Sequence, residues 1–345
     1  MFERVFKLSE HKTTVKTEVM AGITTFMTMA YILAVNPSVL GSTGMDTTAV
    51  LLATALASCL GTLCMAFMAN LPFALSAGMG LNAFMAYTVV AGYGYSWQVA
   101  LLAVFIEGLI FIVLSLTNIR EAIFNAIPLT LKKGVSVGIG LFIAFIGLQN
   151  SGLCVDSATL VGIISFPENF HTAGICALLT LIGLFFTAVF YTRKMKGAIL
   201  YGILLTWILG MLCQVTGLYV PTPDAGFYSL FPSWGMTDFS RLGLTFGQCF
   251  NVDFSAVGIV NFIVVIFSFL FVDIFDTLGT LIGVATKAKM LDKDGKLPGI
   301  KPALMADSIA TSAGAILGTS TTTTFVESAS GVAVGGRTGL TALVT

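Results

Sequence analysis

Apolar runs of about 18–25 residues recur along this chain, each long enough as a helix to cross a hydrocarbon core of ~30 Å. The run LLAVFIEGLIFIVL (101–114) carries one acid, Glu107, and no base. Charged residues make up 10% of the 345, and mean hydropathy is +0.95. Soluble domains carry roughly 25% charged residues, so these few cannot cover a water-facing surface of this size. The chain reads as an all-α polytopic membrane protein with a lipid bilayer around it. Spans fall near 17–36, 48–69, 78–92, 97–117, 134–150, 172–192, 197–217, 256–286 and 302–318, with a short one near 326–336 and another beginning near 338. The chain stops at GLTALVT, in mid-helix, which reads as C-terminal spans missing. The opening stretch MFERVFKLSEHKTTV is polar and mixed in charge, with no apolar core or small-residue cleavage site, so no secretory signal is expected.

Basic residues test this assignment, because they collect in cytoplasmic loops. With the N-terminus inside, Arg4, Lys7, Lys12, Lys16, Arg120, Lys132, Lys133, Arg193, Lys194, Lys196, Lys287, Lys289, Lys293, Lys296, Lys301 and Arg337 are all cytoplasmic. That is 16 of the 17, and only Arg241 falls outside. A wrong span count would scramble this pattern. The expected location is the cytoplasmic (inner) membrane, multi-pass, N-terminus inside. The outer segment 218–255, with its Pro, Trp and Phe residues, is expected to lie across the membrane surface.

Several functions lose support at this level. The six cysteines form no CxxC pair and sit mostly in apolar runs, so neither a disulfide framework nor a metal cluster is read. His11 and His171 lie in polar flanks. Net charge is zero, with no nucleic-acid footprint. An intramembrane enzyme would need a catalytic dyad or metal set, and none is visible. No cofactor is expected.

The stretch LPFALSAGMGLNAFMAY (71–87) contains Gly78, Gly80 and Ala83 in a GxGxxA spacing. A dinucleotide site would need a βαβ unit and an acid about 20 residues on. The next acid is Glu107, inside an apolar run. A second reading fits better. Extended backbone survives at membrane depth only when buried in protein or lining a cavity. A strand followed by a half-helix presents free N–H groups there, and a pair of such broken segments marks a transporter site. The partner segment is TSTTTTFVESASGVAVGG (319–336). Spans one to three would recur as spans eight to ten, in two inverted seven-span repeats. The two strand pieces could then pair and satisfy each other. Close helix packing is the competing account of the glycines.

Acids inside spans are costly and mark function by default. The candidates are Glu107, Asp273, Asp276, Asp307 and Glu327, and no Lys or Arg lies deep in a span to balance them. Asp273 and Asp276 share a helix face with Thr277 and Thr280. Asn82 offers a donor and an acceptor just inside the third span. Convergence of Asn82, Asp273 and Glu327 would form a pocket for a neutral polar ligand, with Phe325 placed to stack on a flat ring. Asp276 could equally hold a neighbour by bonding backbone or threonine. Asp307, near a helix start, reads first as structural, and Glu107 as a protein-facing hydrogen bond.

GITTFMTMAYILAVNP (22–37), SAGMGLNAFMAY (76–87), FVDIFDTLGTLIG (271–283) and STTTTFVESASGVAVGGRTGL (320–340) together resemble the nucleobase/cation symporters, in the AzgA-like branch of hypoxanthine/guanine/adenine permeases. The resemblance implies a uracil-permease-like fold of fourteen spans in two inverted repeats. It implies a core domain in 1–117 and 256–345, a gate domain in 118–217, and the surface segment 218–255 between them. It places the site on Gly80, Asn82, Asp273, Asp276 and Glu327, in agreement with the acids; taken with the residue reading, the substrate-binding candidates are Gly80, Asn82, Asp273, Glu327 and Phe325, with Asp276, Thr277 and Asp307 in proton coupling or support. Where the uracil branch has a histidine one turn after the eighth-span acid, this chain has Thr277. The implied activity is proton-coupled uptake of a purine nucleobase, compatible with a homodimer. An anion transporter or channel of the same fold is the alternative, and it would need a positive site.

Overall fold

The structure, a computed structural model, describes residues 2–117, 122, 128–157, 160–193, 195, 198–222, 226–232, 235, 237–254, 257–291 and 297–345. Arg120, Lys194, Lys196, Lys293 and Lys296, used above for orientation, lie outside the described residues. So do the side chains of Lys132, Lys133 and Lys287.

In chain order the elements are α1 (Phe2–Phe6), α2 (Val15–Met29), α3 (Ile32–Gly41), α4 (Thr47–Cys64), β1 (Leu75–Ala77), α5 (Met79–Ala83), α6 (Trp97–Leu116), α7 (Leu129–Asn150), β2 (Cys154–Ser157), β3 (Leu160–Ile163), α8 (Ile175–Thr192), α9 (Ala198–Val215), α10 (Ile259–Ala288), α11 (Ile300–Leu317), β4 (Thr322–Thr324), α12 (Ser328–Val334) and α13 (Gly339–Val344). Wide helical turns extend α4 to Ala69 and α5 to Gly92. Among the described residues, five helical stretches are long and apolar enough to cross a membrane: Val15–Gly41, Thr47–Ala69, Trp97–Leu116, Phe166–Thr192 and Ile259–Thr286. Met79–Gly92 and Tyr201–Val215 are shorter apolar helices.

The first span, expected near 17–36, is found as one helical stretch over Val15–Gly41. Within it α2 and α3 meet at Ala30–Tyr31. Tight i→i+3 bonds from Leu33 N–H to Ala30 O (3.2 Å) and from Ala34 N–H to Tyr31 O (3.0 Å) carry the chain across the joint. Pro37 lies inside α3, where it cannot donate to the turn before it.

The chain divides into two compact units, residues 1–139 with 237–345, and residues 140–236; the boundary at 139/140 falls inside α7. In the first unit, α11 packs on both α4 and α6, and α2 packs on α12 and α13. Leu81, Met85, Val104, Phe111 and Phe269 form one buried cluster, and Leu75, Leu281, Leu304 and Ala310 belong to another. Small residues permit these approaches. A Cβ on Gly108 would lie 2.8 Å from the Ser312 backbone nitrogen, and one on Gly331 2.6 Å from Ala21 O. Gly108→Val is therefore expected to separate α6 from α11, costing at least about 1–3 kcal/mol of stability. Thermal size-exclusion measurement should show melting several degrees lower. An unchanged melting temperature would show that the two helices do not meet there.

β1 and β4, some 245 residues apart in sequence, pair antiparallel with Leu75 opposite Thr324, Ser76 opposite Thr323 and Ala77 opposite Thr322. Gly78 N–H to Thr321 O (3.0 Å) and Phe325 N–H to Ala74 O (2.9 Å) extend the ladder at its two ends. A two-stranded ribbon buried in apolar surroundings leaves outer edges that need partners. Hydroxyls supply them. Thr62 Oγ1 donates to Leu75 O (3.2 Å) and accepts from Leu75 N–H (2.9 Å), and Thr311 Oγ1 donates to Thr322 O (3.0 Å). Ser328 Oγ accepts from Ala74 N–H (3.0 Å).

At one end of α4, Asp46 caps the helix through Ala49 N–H (2.8 Å) and pairs with Arg241 (2.6 Å). The Ala49 bond, helped by Arg241, holds the Asp46 carboxyl below its usual range. The cap and the ion pair thus lose strength only as pH falls through that lowered value. In the second unit, α8 packs on α9 and β2 pairs with β3 as a hairpin that the sequence reading did not anticipate.

Candidate functional site

The run Thr319–Thr324 threads the first unit with every residue buried, and hydroxyls along it tie it to neighbouring helices. Thr319 Oγ1 accepts from Asn36 Nδ2 (2.8 Å) of α3. Ser320 Oγ donates to Asn82 Oδ1. Thr321 Oγ1 donates to Glu107 Oε2 (3.1 Å) of α6, and Thr323 Oγ1 meets Thr277 Oγ1 (2.8 Å) of α10. A polar strand inside an apolar bundle is tolerable because these four hydroxyls have partners, although among the described residues Thr324 Oγ1 has none.

This array absorbs two of the residues singled out in the sequence. Asn82, 1% exposed, donates to Asn36 Oδ1 (2.7 Å), while Asn36 donates in turn to Thr54 (2.7 Å) and Thr319. Its amide oxygen and nitrogen both serve the protein, locking α3, α5 and the β4 approach together. Glu107, also fully buried, makes a protein-facing hydrogen bond through Thr321, as expected for it.

The acids divide by exposure. Asp273 and Thr277, one turn apart on α10, are both fully buried, and Thr277 Oγ1 lies 3.0 Å from Asp273 Oδ1 and 3.3 Å from Asp307 Oδ2. Asp307 of α11 is also fully buried. Asp276 and Glu327 stay half-buried. Asp276 reaches over the start of α5: a Cβ on Gly78 would lie 3.3 Å from its Oδ2 and 3.0 Å from Thr323 Cγ2. The Asp276 carboxylate lies within electrostatic range of those of Asp307 and Glu327. The stretches 257–286 and 302–336 contain no Lys or Arg.

Beside Asp276 is an open group of side chains. Gly78 follows β1 and precedes α5, and Met79 and Gly80 begin α5 with N–H groups that have no partner within the helix, since its first bond is Asn82 N–H to Gly78 O (2.9 Å). Both are half-buried. Glu327 precedes α12, and its Oε1 accepts the Tyr31 phenol at 2.5 Å. The Tyr31 hydroxyl also touches Met79 Sδ (3.5 Å). Its ring lies 6.4 Å from that of Phe325, tilted by 36°. Phe325 is only 5% exposed, packed among Met29, Ile32 and Ala74.

The structure therefore brings Gly80, Asp276 and Glu327 to one half-buried place beside Tyr31 and the start of α5, with Phe325 buried next to the Tyr31 ring. It sets Asp273, Thr277 and Asp307 behind it as a closed cluster, and Asn82 to the side in an amide network. Three residues were not foreseen. Tyr31 and Asn36 lie in the first span; a phenol and an amide within an apolar run are the signal that could have found them. Glu18, fully buried in α2, accepts from the N–H groups of Arg337, Thr338 and Thr341 (2.9–3.2 Å) and from the hydroxyls of Thr338 and Thr341 (2.9 and 2.6 Å). It clamps the turn between α12 and α13. An acid two residues inside a predicted span was its signal.

A model of the Permease family matches residues 16–345. The chain is 42% identical over 348 residues to the adenine permease AdeP of Escherichia coli (strain K12), covering 100% of this chain and 72% of that one. It is 44% identical over 345 residues to the guanine/hypoxanthine permease PbuO of Bacillus subtilis (strain 168), covering 98% and 74%. Among solved structures it is similar in fold to the transmembrane domain of a cyanobacterium bicarbonate transporter, BicA. The TM-score is 0.60 at 14% identity, over 95% of this chain and 79% of that one.

Proposed function

Because the chain belongs to the Permease family, matched from residue 16 to 345, we propose that it carries purine nucleobases across the cytoplasmic membrane by proton-coupled alternating access. The relatives that are adenine and guanine/hypoxanthine permeases support the substrate class. The observation that carries the reading is the half-buried group of Asp276, Glu327 and the Gly80 end of α5, with Phe325 buried beside it and no Lys or Arg in the surrounding stretches. A purine base is planar and neutral, with N–H donors and ring lone pairs on its edges. Two carboxylates accept its N–H groups, and the N–H groups at Met79 and Gly80 donate to its ring acceptors. Phe325 supplies an aromatic face.

In this reading Asp276 and Glu327 touch the base, while Asp273, Thr277 and Asp307 hold α10 and α11 against β4. Asn82 is a positioning residue. Protonation of a substrate-facing carboxylate couples proton entry to transport. The same reading puts the paired strands on the axis of two inverted seven-span repeats, with the broken segments at mid-membrane and the N-terminus cytoplasmic. The core comprises 1–117 and 256–345, the gate 118–217, and a homodimer is compatible with this division. An anion carrier of the same fold finds no basic side chain in the stretches that form the site.

The test is uptake of radiolabelled hypoxanthine or adenine into cells lacking their own purine permeases. Excess unlabelled purine should abolish uptake, a protonophore should collapse it, and sulfate or bicarbonate should leave it unchanged. Competition by the anions but not by purines would overturn the assignment.

A further inference from the structure

This inference rests on the purine reading above. Tyr31 stands at the joint between α2 and α3, and a single ring covers both groups that a flat ligand would use. Its hydroxyl donates to Glu327 Oε1 at 2.5 Å, and its ring packs beside that of Phe325 at 6.4 Å, tilted by 36°. A base bound between Phe325 and Glu327 would make the same pair of contacts, ring against ring and N–H in place of O–H. The two occupants exclude each other. We propose that Tyr31 is an internal stand-in for the substrate, filling the Glu327–Phe325 site in the empty carrier and leaving it when a base enters.

The geometry gives the stand-in a task. A carrier that accumulates its cargo must return empty, and a carboxylate without a partner is costly to enclose. Tyr31 supplies the missing donor on the return leg. The surrounding packing fixes where it can act. Thr28 Oγ1 bonds Ser330 Oγ (2.7 Å), and Gly331 lies against the Ala21 backbone, so α2 and α12 meet closely below the joint. Tyr31 itself is half-buried and sits beyond the end of α2, outside its regular hydrogen-bond ladder.

The test is Tyr31→Phe in proteoliposomes, with two transport modes compared. Net uptake into empty vesicles requires the empty return; exchange of labelled for unlabelled hypoxanthine across preloaded vesicles does not. Loss of one charge-assisted hydrogen bond is worth roughly tenfold. The ratio of exchange to net uptake should therefore rise about tenfold, and hypoxanthine binding to the purified variant should tighten by a similar factor. Equal loss in both modes, weaker binding, or no change in either would overturn the proposal, the first two by making Tyr31 a ligand contact or a packing residue. Tyr31→Leu, which removes ring and hydroxyl together, is read by the same ratio if the Phe variant is not recovered folded. Failure of the parent protein to move purines at all would instead overturn the substrate assignment.

Discussion

Glu327→Gln is expected to lower purine uptake about a hundredfold while leaving the amount of folded protein unchanged. The magnitude is that of two charge-assisted hydrogen bonds weakened together, about 3 kcal/mol. Glutamine keeps the length of the side chain and one acceptor oxygen, so it can still receive the Tyr31 phenol that Glu327 receives now. It cannot offer two acceptors to adjacent N–H groups of a base, and it cannot take up a proton at neutral pH. The fold should not register the change, because Glu327 is half-buried and lies before α12 without capping it through its side chain. Uptake of labelled hypoxanthine, normalised to membrane protein, measures the effect. Wild-type uptake by the Gln variant would remove Glu327 from the site.

Asp276→Asn and Asp273→Asn should part company, although the two acids are three residues apart on one helix. The Asp276 variant is expected to lose uptake about a hundredfold at unchanged thermal stability, since its half-buried carboxylate faces the start of α5 and adds no described tie between helices. The Asp273 variant is expected to lose stability first. Its carboxylate is sealed beside Thr277, whose hydroxyl also meets Thr323 of the strand pair and Asp307 of α11. An amide there brings two N–H donors into a place arranged for acceptors. Melting and uptake measured on the same purified samples separate the outcomes. Full uptake by Asp276→Asn, together with stable but inactive Asp273→Asn, would return the ligand to Asp273.

Much of this was legible in the residues. Runs such as 97–116 must be helical and long because lipid leaves no partner for exposed backbone. The glycine at 78 and the hydroxyl run at 319–324 interrupt that pattern, and both were readable as extended pieces that have to find each other. The acids stood out because nothing basic accompanied them. The hairpin of β2 and β3 was missed because a short alternation between two spans carries little signal against a strongly apolar background.

The order of the spans and the acid-rich, base-free character of the site follow from the sequence alone, since they depend on local hydropathy and on charge being costly in an apolar medium. Which side of α10 opens and which closes was decided only by tertiary structure. Helical periodicity places Asp273, Asp276, Thr277 and Thr280 together, and the strand pair packs against Thr277 beside the fully buried Asp273 while Asp276 stays half-buried. Asn82 meeting Asn36, Glu18 clamping Thr338 and Thr341, and Tyr31 resting on Glu327 are contacts across 46 to 323 positions of chain. Such pairings are set by how packed helices bring distant residues into hydrogen-bond range, and no local pattern of residues encodes them.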